Sequence, residues 1–270
     1  MKLIAYLHDG IPTVGSVESG YVFRIAERDA FFSDIARWMA EPRDPAARTP
    51  IQDAVQVPAV RSDCNVVCVG LNYRDHAQES GLDVPTCPTI FGRWVSTLSV
   101  DGTAVAVPAC ESGLDWEVEL AVIIGRKLDR TSGQATPGDI LGYSVFNDIS
   151  ARGRQFDTPQ WTLGKNVDSS GPLGPVVVTS DEFSGWPQLD LELRVNGAVK
   201  QRGNTREMMH SIPDLVAYVT QTLTLRPGDL IATGTPSGVG FKSDPPELLH
   251  AGDIVEAEIK GIGVLRTPIS

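Results

Sequence analysis

Hydrophobic and polar positions alternate along this chain in short runs, a pattern that predicts strands more often than long helices. Beyond residue 55, the runs that predict strands are 65–69, 103–107, 117–124, 143–147, 176–179, 189–195, 230–233 and 254–259. Asn196-Gly197 lies between two apolar runs and is typical of a type I′ hairpin turn. Beyond residue 55, helical spacing is confined to 73–80 and 211–223, the second with Pro213 in its first turn. This balance predicts a β-rich α+β fold, a sandwich or roll with a helical cover, and not a doubly wound sheet.

The first 58 residues have the pattern of a small unit of their own. Strand-like runs at 3–7 and 21–25 are separated by turn signals, and a helix is expected within 29–41. The proline-containing run 41–50 can continue neither a helix nor a central strand, so it is the best linker candidate. We therefore predict a small N-terminal α+β domain over 1–58 and a larger domain over 59–270.

The amino-acid composition limits the classes of partner that this chain is expected to bind. The 270 residues carry a formal net charge of −11, which argues against nucleic acid or an anionic membrane surface. Apolar runs are too short to cross a bilayer, and a charge interrupts the N-terminus before a signal-peptide core is complete, so a cytoplasmic location is expected. The cysteines lack Cys-x-x-Cys spacing, and Cys64 and Cys68 are expected to be buried thiols. An anionic substrate would need local cations to overcome the acidic field.

Candidate chemistry begins with Glu117-Val118-Glu119. Because side chains alternate along a strand, both glutamates point to the same side, where they repel each other and lose hydration. A bound cation would offset that cost, and Asp148, at the end of an aromatic strand, would add a third carboxylate. Three oxygen ligands suit Mg²⁺ or Mn²⁺ better than zinc. The alternative is an exposed edge strand with two solvated glutamates and an aspartate that caps a turn.

Two loops could contact a substrate. In the glycine- and proline-rich loop 161–175, Lys165 lies between apolar residues, so we expect it to be partly desolvated, held by Asp168 and able to stabilise an enolate. In the turn 234–240, glycine lets backbone N–H groups approach an anion and Thr235 adds a hydroxyl, which suits a small carboxylate. A solvated lysine and an ordinary tight turn are the respective alternatives.

A possible base and further cations lie elsewhere in the chain. His76 and Glu79 are three residues apart on a predicted helix, where the carboxylate could orient the imidazole as a base for water, although exposed pairs at this spacing are common. Arg93 and Arg152 are candidates to form a local positive pocket together with Lys165.

In this order along the chain, the stretches 69–73 with His76 and Glu79, 115–120, 147–152, Gly164-Lys165 with Asp168, and 232–240 resemble the fumarylacetoacetate hydrolase family. The resemblance spans about residues 60 to 265. It implies a mixed β-sandwich roll in a homodimer, with the larger domain catalytic and a divalent metal at its mouth. The residue roles that it implies are metal binding by Glu117, Glu119 and Asp148, contact with a 2-oxo group by Lys165, contact with a carboxylate by Thr235 in its Gly234 turn, and a lid with His76 and Glu79.

The resemblance also suggests a substrate. Phe91 with Arg93, and Gln160 with Trp161, look like the branch that acts on acylpyruvates, with Arg93 selecting a second carboxylate on the acyl half. Many relatives have an aspartate after the Ser-Ala-Arg run, whereas this chain has Gly153, so we expect Arg152 to lack a carboxylate that could orient it for a role in the site.

We therefore predict a metal-dependent hydrolase that cleaves the C–C bond of a 1,3-diketo acid, such as fumarylpyruvate or maleylpyruvate from aromatic-ring breakdown, into pyruvate and a carboxylic acid. Oxaloacetate decarboxylation, enol–keto isomerisation and dienoate hydration could use the same site. A non-catalytic metal-binding or scaffold protein is the remote alternative.

Overall fold

The computed structural model describes residues 1–75, 79 and 86–270. In this part of the chain the strands are β1 (Lys2–His8), β2 (Ile11–Glu18), β3 (Tyr21–Glu27), β4 (Arg48–Pro50), β5 (Gln56–Val57), β6 (Val66–Gly70), β7 (Thr89–Arg93), β8 (Leu98–Ser99), β9 (Val118–Ile124), β10 (Ile140–Asn147), β11 (Gly171–Thr179), β12 (Asp190–Val195), β13 (Ala198–Asn204), β14 (Leu230–Ala232), β15 (Ile254–Ile259) and β16 (Gly263–Pro268). The α-helices are α1 (Arg28–Ser33), α2 (Ile35–Ala40), α3 (Arg152–Phe156) and α4 (Ile212–Thr220).

The described strands form two sheets. The larger has the order β4-β3-β2-β1-β11-β10-β9-β14-β6-β7, with β5 beside β1 and β8 beside β11, and the smaller has the order β13-β12-β15-β16. Most neighbours are antiparallel, but β14 pairs with β6, and β11 with β8, in parallel. The predicted β-rich α+β class with few helices is therefore confirmed.

Strand β9 lies at the centre of the larger sheet and is buried on both faces. Because its side chains alternate, Leu120 and Val122 pack into a core shared with the smaller sheet and α4, while Ala121 and Ile123 pack into a second core. Each fully buried aliphatic side chain of this kind contributes about 1.5–3 kcal/mol, so β9 is a rigid base for residues at its ends.

Several local predictions can be compared with the structure. The hairpin turn is confirmed, since Asn196 and Gly197 have φ values of 51° and 81° between β12 and β13. The helix expected at 211–223 is present as the shorter α4, with Pro213 in its first turn. The strand expected at 103–107 is wrong, because only an isolated bridge from Val105 to Ile269 forms there.

The helical region expected within 29–41 is present as two short helices, α1 and α2. Asp34 separates them, because it leaves helical geometry and caps α2 by accepting a hydrogen bond from the Arg37 N–H at 3.1 Å. The helix expected at 73–80 falls mainly outside the described residues.

The N-terminal segment extends the larger sheet. Strand β1 pairs with β11 through Lys2 opposite Val178 and Leu3 opposite Val177, and Phe31 packs into the core that contains Ile123. The boundary near residue 58 stays a prediction. In the part of the chain that the structure describes, no helix has the length and apolar character needed to cross a membrane.

Candidate active site

The structure brings the three predicted metal ligands together at one end of β9. Glu117 and Glu119 flank Val118, and Asp148 directly follows β10. The β9–β10 pairing continues past the strand end, where the Asp148 N–H donates to the Glu117 carbonyl at 2.9 Å. One carboxylate oxygen from each of the three residues lies within 4.8 Å of the others, and all three side chains are buried.

Lys165 lies inside this carboxylate cluster. Its Nζ donates to Glu117 Oε2 at 2.8 Å and to Asp148 Oδ2 at 2.7 Å. Burial lowers the pKa of Lys165, but the charges of Asp148 and Glu117 outweigh it and raise the pKa above its ordinary value. The side chain is therefore an ammonium ion, and two of its three N–H groups are already in use. The prediction of partial desolvation holds, but the expected partner Asp168 was wrong, because the lysine reaches into the core and not along its own loop.

Two arginines complete the ion pairs. Arg152 donates from Nη2 to Glu117 at 2.6 Å and from Nε to Asp115 at 2.8 Å, and Arg93 donates to Asp148 at 2.6 Å. The sequence expectation that Arg152 lacks an orienting carboxylate is therefore wrong, because Asp115 supplies it in place of position 153. Asp115 was not among the predicted site residues, although it continues the period-two series of Glu117 and Glu119.

Glu119 differs from the other two acids. It accepts the Gly234 N–H at 2.9 Å, and no lysine or arginine of the described chain forms an ion pair with it. Burial raises the pKa of Glu119 well above its ordinary value, and the charges of Asp148 and Glu117 raise it further. A cation bound between the three carboxylates would remove this repulsion.

The charges at the site suit a divalent ion. Within the ion-pair cluster of the site, the described buried acids outnumber the described buried bases by one, with Asp115, Glu117, Glu119 and Asp148 against Arg93, Arg152 and Lys165. A bound divalent ion would make the net charge of the site positive, and an anionic substrate would then offset that positive charge. The cluster offers carboxylate oxygens and no described histidine or thiolate, so its chemistry fits Mg²⁺ or Mn²⁺ rather than zinc.

A cavity of about 390 Å³ opens over the carboxylate cluster. Its wall combines apolar and aromatic side chains with a few polar ones, and the lining residues are Val69, Gly70, Leu71, Phe91, Glu117, Glu119, Arg152, Gln155, Phe156, Trp161, Lys165, Thr235, Phe241 and Lys242. Such a mixture is typical of small-molecule sites. Gly70 is required beneath Trp161, because a Cβ there would lie 2.6 Å from the indole ring.

The predicted substrate residues divide into two groups. Phe91, Trp161 and Thr235 line the cavity, and Gly234 lies beside them through its bond to Glu119. Gln160 is exposed and lies outside the lining.

Arg93 is placed differently from the prediction. Its side chain is 0% exposed and is absent from the cavity lining, because it is bound to Asp148, to the hydroxyls of Thr97 and Ser170, and to the Ile149 carbonyl. An unpaired Asp148 would be a costly buried charge. Arg93 therefore balances the charge of this predicted metal ligand and does not reach the cavity, where the expected acyl carboxylate would bind.

Helix α3 carries part of the wall. Glu111 caps its N-terminus by accepting hydrogen bonds from Gly153 N–H at 3.0 Å and Arg154 N–H at 2.8 Å. On the next turn Gln155 accepts a hydrogen bond from Arg152 Nη1 at 2.7 Å. The i, i+3 spacing of Arg152 and Gln155 was a usable signal for this pair, whereas nothing in the sequence indicated Glu111.

The predicted base is only partly described. His76 lies outside the described residues. The Glu79 carboxylate accepts the Gly238 N–H, with both oxygens at 3.1 Å from the nitrogen, so this acid is attached to the glycine-rich turn that contains Thr235.

Comparisons with known proteins identify the family of this chain. Residues 65–270 match the family model described as fumarylacetoacetate (FAA) hydrolase, C-terminal. Oxaloacetate tautomerase FAHD2A, mitochondrial, of Homo sapiens is 42% identical over 226 residues, which cover 82% of this chain and 72% of the relative.

Two solved structures are similar over the whole chain. The fumarylacetoacetate hydrolase of Exiguobacterium antarcticum has a TM-score of 0.84 at 32% identity, with 100% of this chain and 99% of that chain covered. The 2-hydroxyhepta-2,4-diene-1,7-dioate isomerase of Mycobacterium marinum has a TM-score of 0.79 at 32% identity, with 100% and 98% covered. The family match spans more than half of the chain, and this chain is therefore a member of the fumarylacetoacetate hydrolase family of enzymes.

Proposed function

We propose that this enzyme interconverts the keto and enol forms of a small 2-oxo dicarboxylic acid such as oxaloacetate. The observation that carries the proposal is Lys165, a buried ammonium ion with one unused N–H, which is fixed between two carboxylates and lines the cavity. Keto and enol forms interconvert through an enolate, and a preorganised donor at the enolate oxygen stabilises the charge where it develops.

The carboxylate cluster would hold the cofactor. Glu117, Glu119 and Asp148 would bind Mg²⁺ or Mn²⁺, which when bound would act as a Lewis acid on the 2-oxo group. Lys165 donates to the same oxygen. Because its pKa is raised, it acts as a hydrogen-bond donor and not as a base or an amine nucleophile.

Arg152 supports a dicarboxylic substrate. Asp115, Glu117 and Gln155 each accept one of its five N–H groups, which leaves two for a ligand. Its guanidinium also lies 4.4 Å from the centre of the Phe241 ring, which orients it at the cavity wall. An oriented arginine with two unused donors suits the second carboxylate of the substrate.

The names of two of the three relatives support the same chemistry, whereas the third is named a hydrolase. Oxaloacetate and 2-hydroxyhepta-2,4-diene-1,7-dioate are both dicarboxylates that exist as a 2-oxo acid or its enol. The two reactions move a proton on that framework and break no C–C bond. We therefore place tautomerisation, one of the sequence alternatives, ahead of hydrolysis.

Acylpyruvate hydrolysis is the second candidate. It needs a base for the attacking water, which the sequence assigns to His76 oriented by Glu79. The hydrogen bond that the Gly238 N–H donates to the Glu79 carboxylate favours acylpyruvate hydrolysis, because it holds a carboxylate beside the turn that contains Thr235.

Enol oxaloacetate provides the test. We expect the purified enzyme with Mg²⁺ or Mn²⁺ to accelerate the loss of enol absorbance without releasing pyruvate. Lys165→Met should lower kcat by about 10²–10³-fold, the usual loss for one such donor. Lys242→Met is the matched control, because Lys242 lines the cavity but forms no ion pair with the carboxylate cluster in the described chain.

The contrary results are equally definite. Pyruvate release from fumarylpyruvate or maleylpyruvate, with no effect on enol oxaloacetate, would establish the hydrolase. Pyruvate release from oxaloacetate itself would indicate decarboxylation, and inactivity on every substrate would favour a non-catalytic metal-binding protein.

A further inference from the structure

Gln201 connects the smaller sheet to the candidate active site. It belongs to β13, at the edge of that sheet, yet its side chain is 1% exposed and reaches the larger sheet. Its Oε1 accepts the Val118 N–H at 3.0 Å, and its Nε2 donates to Thr235 Oγ1 at 2.8 Å and to the Pro236 carbonyl at 2.9 Å. No motif identified in the sequence includes this residue.

These contacts form a closed ring. Thr235 Oγ1 donates its single proton to the Val118 carbonyl at 2.9 Å, so Val118, Gln201 and Thr235 each donate to the next. The orientation of the Gln201 amide is fixed, because the Val118 N–H can only donate and the Pro236 carbonyl can only accept. All members are buried, where a broken hydrogen bond would leave a polar group unpaired.

The ring joins the two parts of the site. Val118 lies between Glu117 and Glu119, and Thr235 lines the cavity next to Gly234, whose N–H binds Glu119. A change in the ring would therefore move both a pair of carboxylates and a cavity wall.

Packing leaves little freedom around the ring. A Cβ on Gly203 of β13 would lie 2.7 Å from Pro236 Cβ, and a Cβ on Gly238 would lie 2.2 Å from the Lys200 carbonyl. The close atoms are the Pro236 ring at position 203 and the Lys200 backbone at position 238, so β13 and the 234–238 turn are packed tightly against each other.

We infer that Gln201 is a positioning residue, which fixes the carboxylate cluster relative to the Thr235 turn and keeps the Thr235 hydroxyl proton directed at Val118. The inference deepens the proposed function and rests on it for the activity readout only. Metal affinity gives a second readout that does not depend on the reaction.

Gln201→Met keeps the length of the side chain but removes all three hydrogen bonds, whereas Gln201→Glu keeps the acceptor for Val118 and removes the donors. We expect Gln201→Met to weaken Mn²⁺ binding and lower kcat by about 10–100-fold, the range seen for residues that orient metal ligands. Gln201→Glu should lie between Gln201→Met and the wild type. Isothermal titration with Mn²⁺ and steady-state kinetics provide the two readouts.

Leu193→Ala is the matched control. Leu193 is fully buried and pairs directly with Gln201 in the β12–β13 ladder, but it forms none of the hydrogen bonds of the ring. It should lower the melting temperature while leaving Mn²⁺ affinity and kcat within about twofold of wild type.

Wild-type Mn²⁺ affinity in Gln201→Met, or equal losses in Leu193→Ala, would overturn the inference. If Gln201→Met does not fold, Gln201→Glu decides by the same comparison. Reduced Mn²⁺ affinity in a protein that does not accelerate ketonisation would uphold the positioning role and reject the proposed function.

Discussion

Glu119 is the residue at which the need for a cation is clearest. Glu117 and Asp148 have arginine and lysine partners, whereas Glu119 accepts a backbone N–H and carries a raised pKa. In metal-free protein, the folded state therefore holds a proton that the unfolded state releases. Stability then falls as the pH rises from the ordinary glutamate range towards the raised pKa, and a bound metal removes this loss.

Glu119→Gln should therefore have opposite effects without and with metal. In EDTA we expect the variant to be at least as stable as wild type at about pH 8, with a flatter dependence of the melting temperature between about pH 5 and pH 8. It should also lose most of the stabilisation that Mn²⁺ gives the wild type. Thermal unfolding in EDTA and in Mn²⁺ measures both effects, and an unchanged Mn²⁺ shift would argue against Glu119 as a ligand.

Gly153 and Glu111 form a second pair that can be tested at this scale. A Cβ at position 153 would lie 2.8 Å from both Glu111 carboxylate oxygens. Gly153→Ala should therefore displace the Glu111 carboxylate and cost no more than the loss of this cap, about 0.5–2 kcal/mol, in the wild-type background. In the Glu111→Ala background the clash is absent and alanine favours the helix, so the same change should be neutral or stabilising.

Urea unfolding of the four proteins in this cycle measures the coupling. Equal costs of Gly153→Ala in both backgrounds would mean that Glu111 does not contact α3.

The sequence located side chains whose chemistry follows from strand alternation, and missed those whose role depends on a distant partner. Glu117 and Glu119 share a face because of the period of two, and Asp115 belongs to the same series. The role of Arg93 depends on Asp148, and that of Glu111 on α3, so only the folded chain shows them.

At the scale of elements, strands with a clear apolar pattern were predicted, and strands without one were missed whatever their length. Strands β9, β10 and β15 are apolar enough to be recognised from their pattern alone. Strand β7 is five residues long and contains a glycine, and β16 ends in proline, so neither has a clear strand pattern. Tertiary pairing forms them instead.

The cysteines in and beside strand β6 give a prediction that tests how well this strand is buried. Cys68 lies within it and Cys64 just before it, and both thiols are buried between neighbouring elements, whereas Cys87 and Cys110 are exposed. Burial raises the pKa of Cys64 to about 12 and that of Cys68 well above its ordinary value. We therefore expect a thiol reagent at about pH 8 to label two of the four cysteines in native protein and all four in denaturant.

Mass spectrometry of labelled peptides identifies the modified sites. Rapid labelling of Cys68 in native protein would show that β6 is accessible to solvent.

At the scale of the whole molecule, the N-terminal segment and the rest of the chain share one sheet and one core. Leu3, Phe31 and Phe32 pack in the same cluster as Ile123 and Leu230. The predicted boundary near residue 58 would therefore divide buried apolar surface. The predicted homodimer and cytoplasmic location stay predictions, and light scattering of the purified protein would test the first.

Removal of residues 1–58 tests whether the N-terminal segment and the rest of the chain fold as one unit. We expect the shortened chain to aggregate, or to melt at least about 10 °C below the full chain, because each buried aromatic residue lost costs several kcal/mol. A shortened chain with the melting temperature and Mn²⁺ affinity of the full chain would instead establish two independent domains.

The central claim is that Glu117, Glu119 and Asp148 hold one divalent ion beside Lys165. Anomalous diffraction from crystals grown with Mn²⁺ tests it directly. We expect a single strong peak at about 2.1 Å from a carboxylate oxygen of each of the three residues. No peak there at a Mn²⁺ concentration that saturates activity, or a peak bound by other residues, would contradict it.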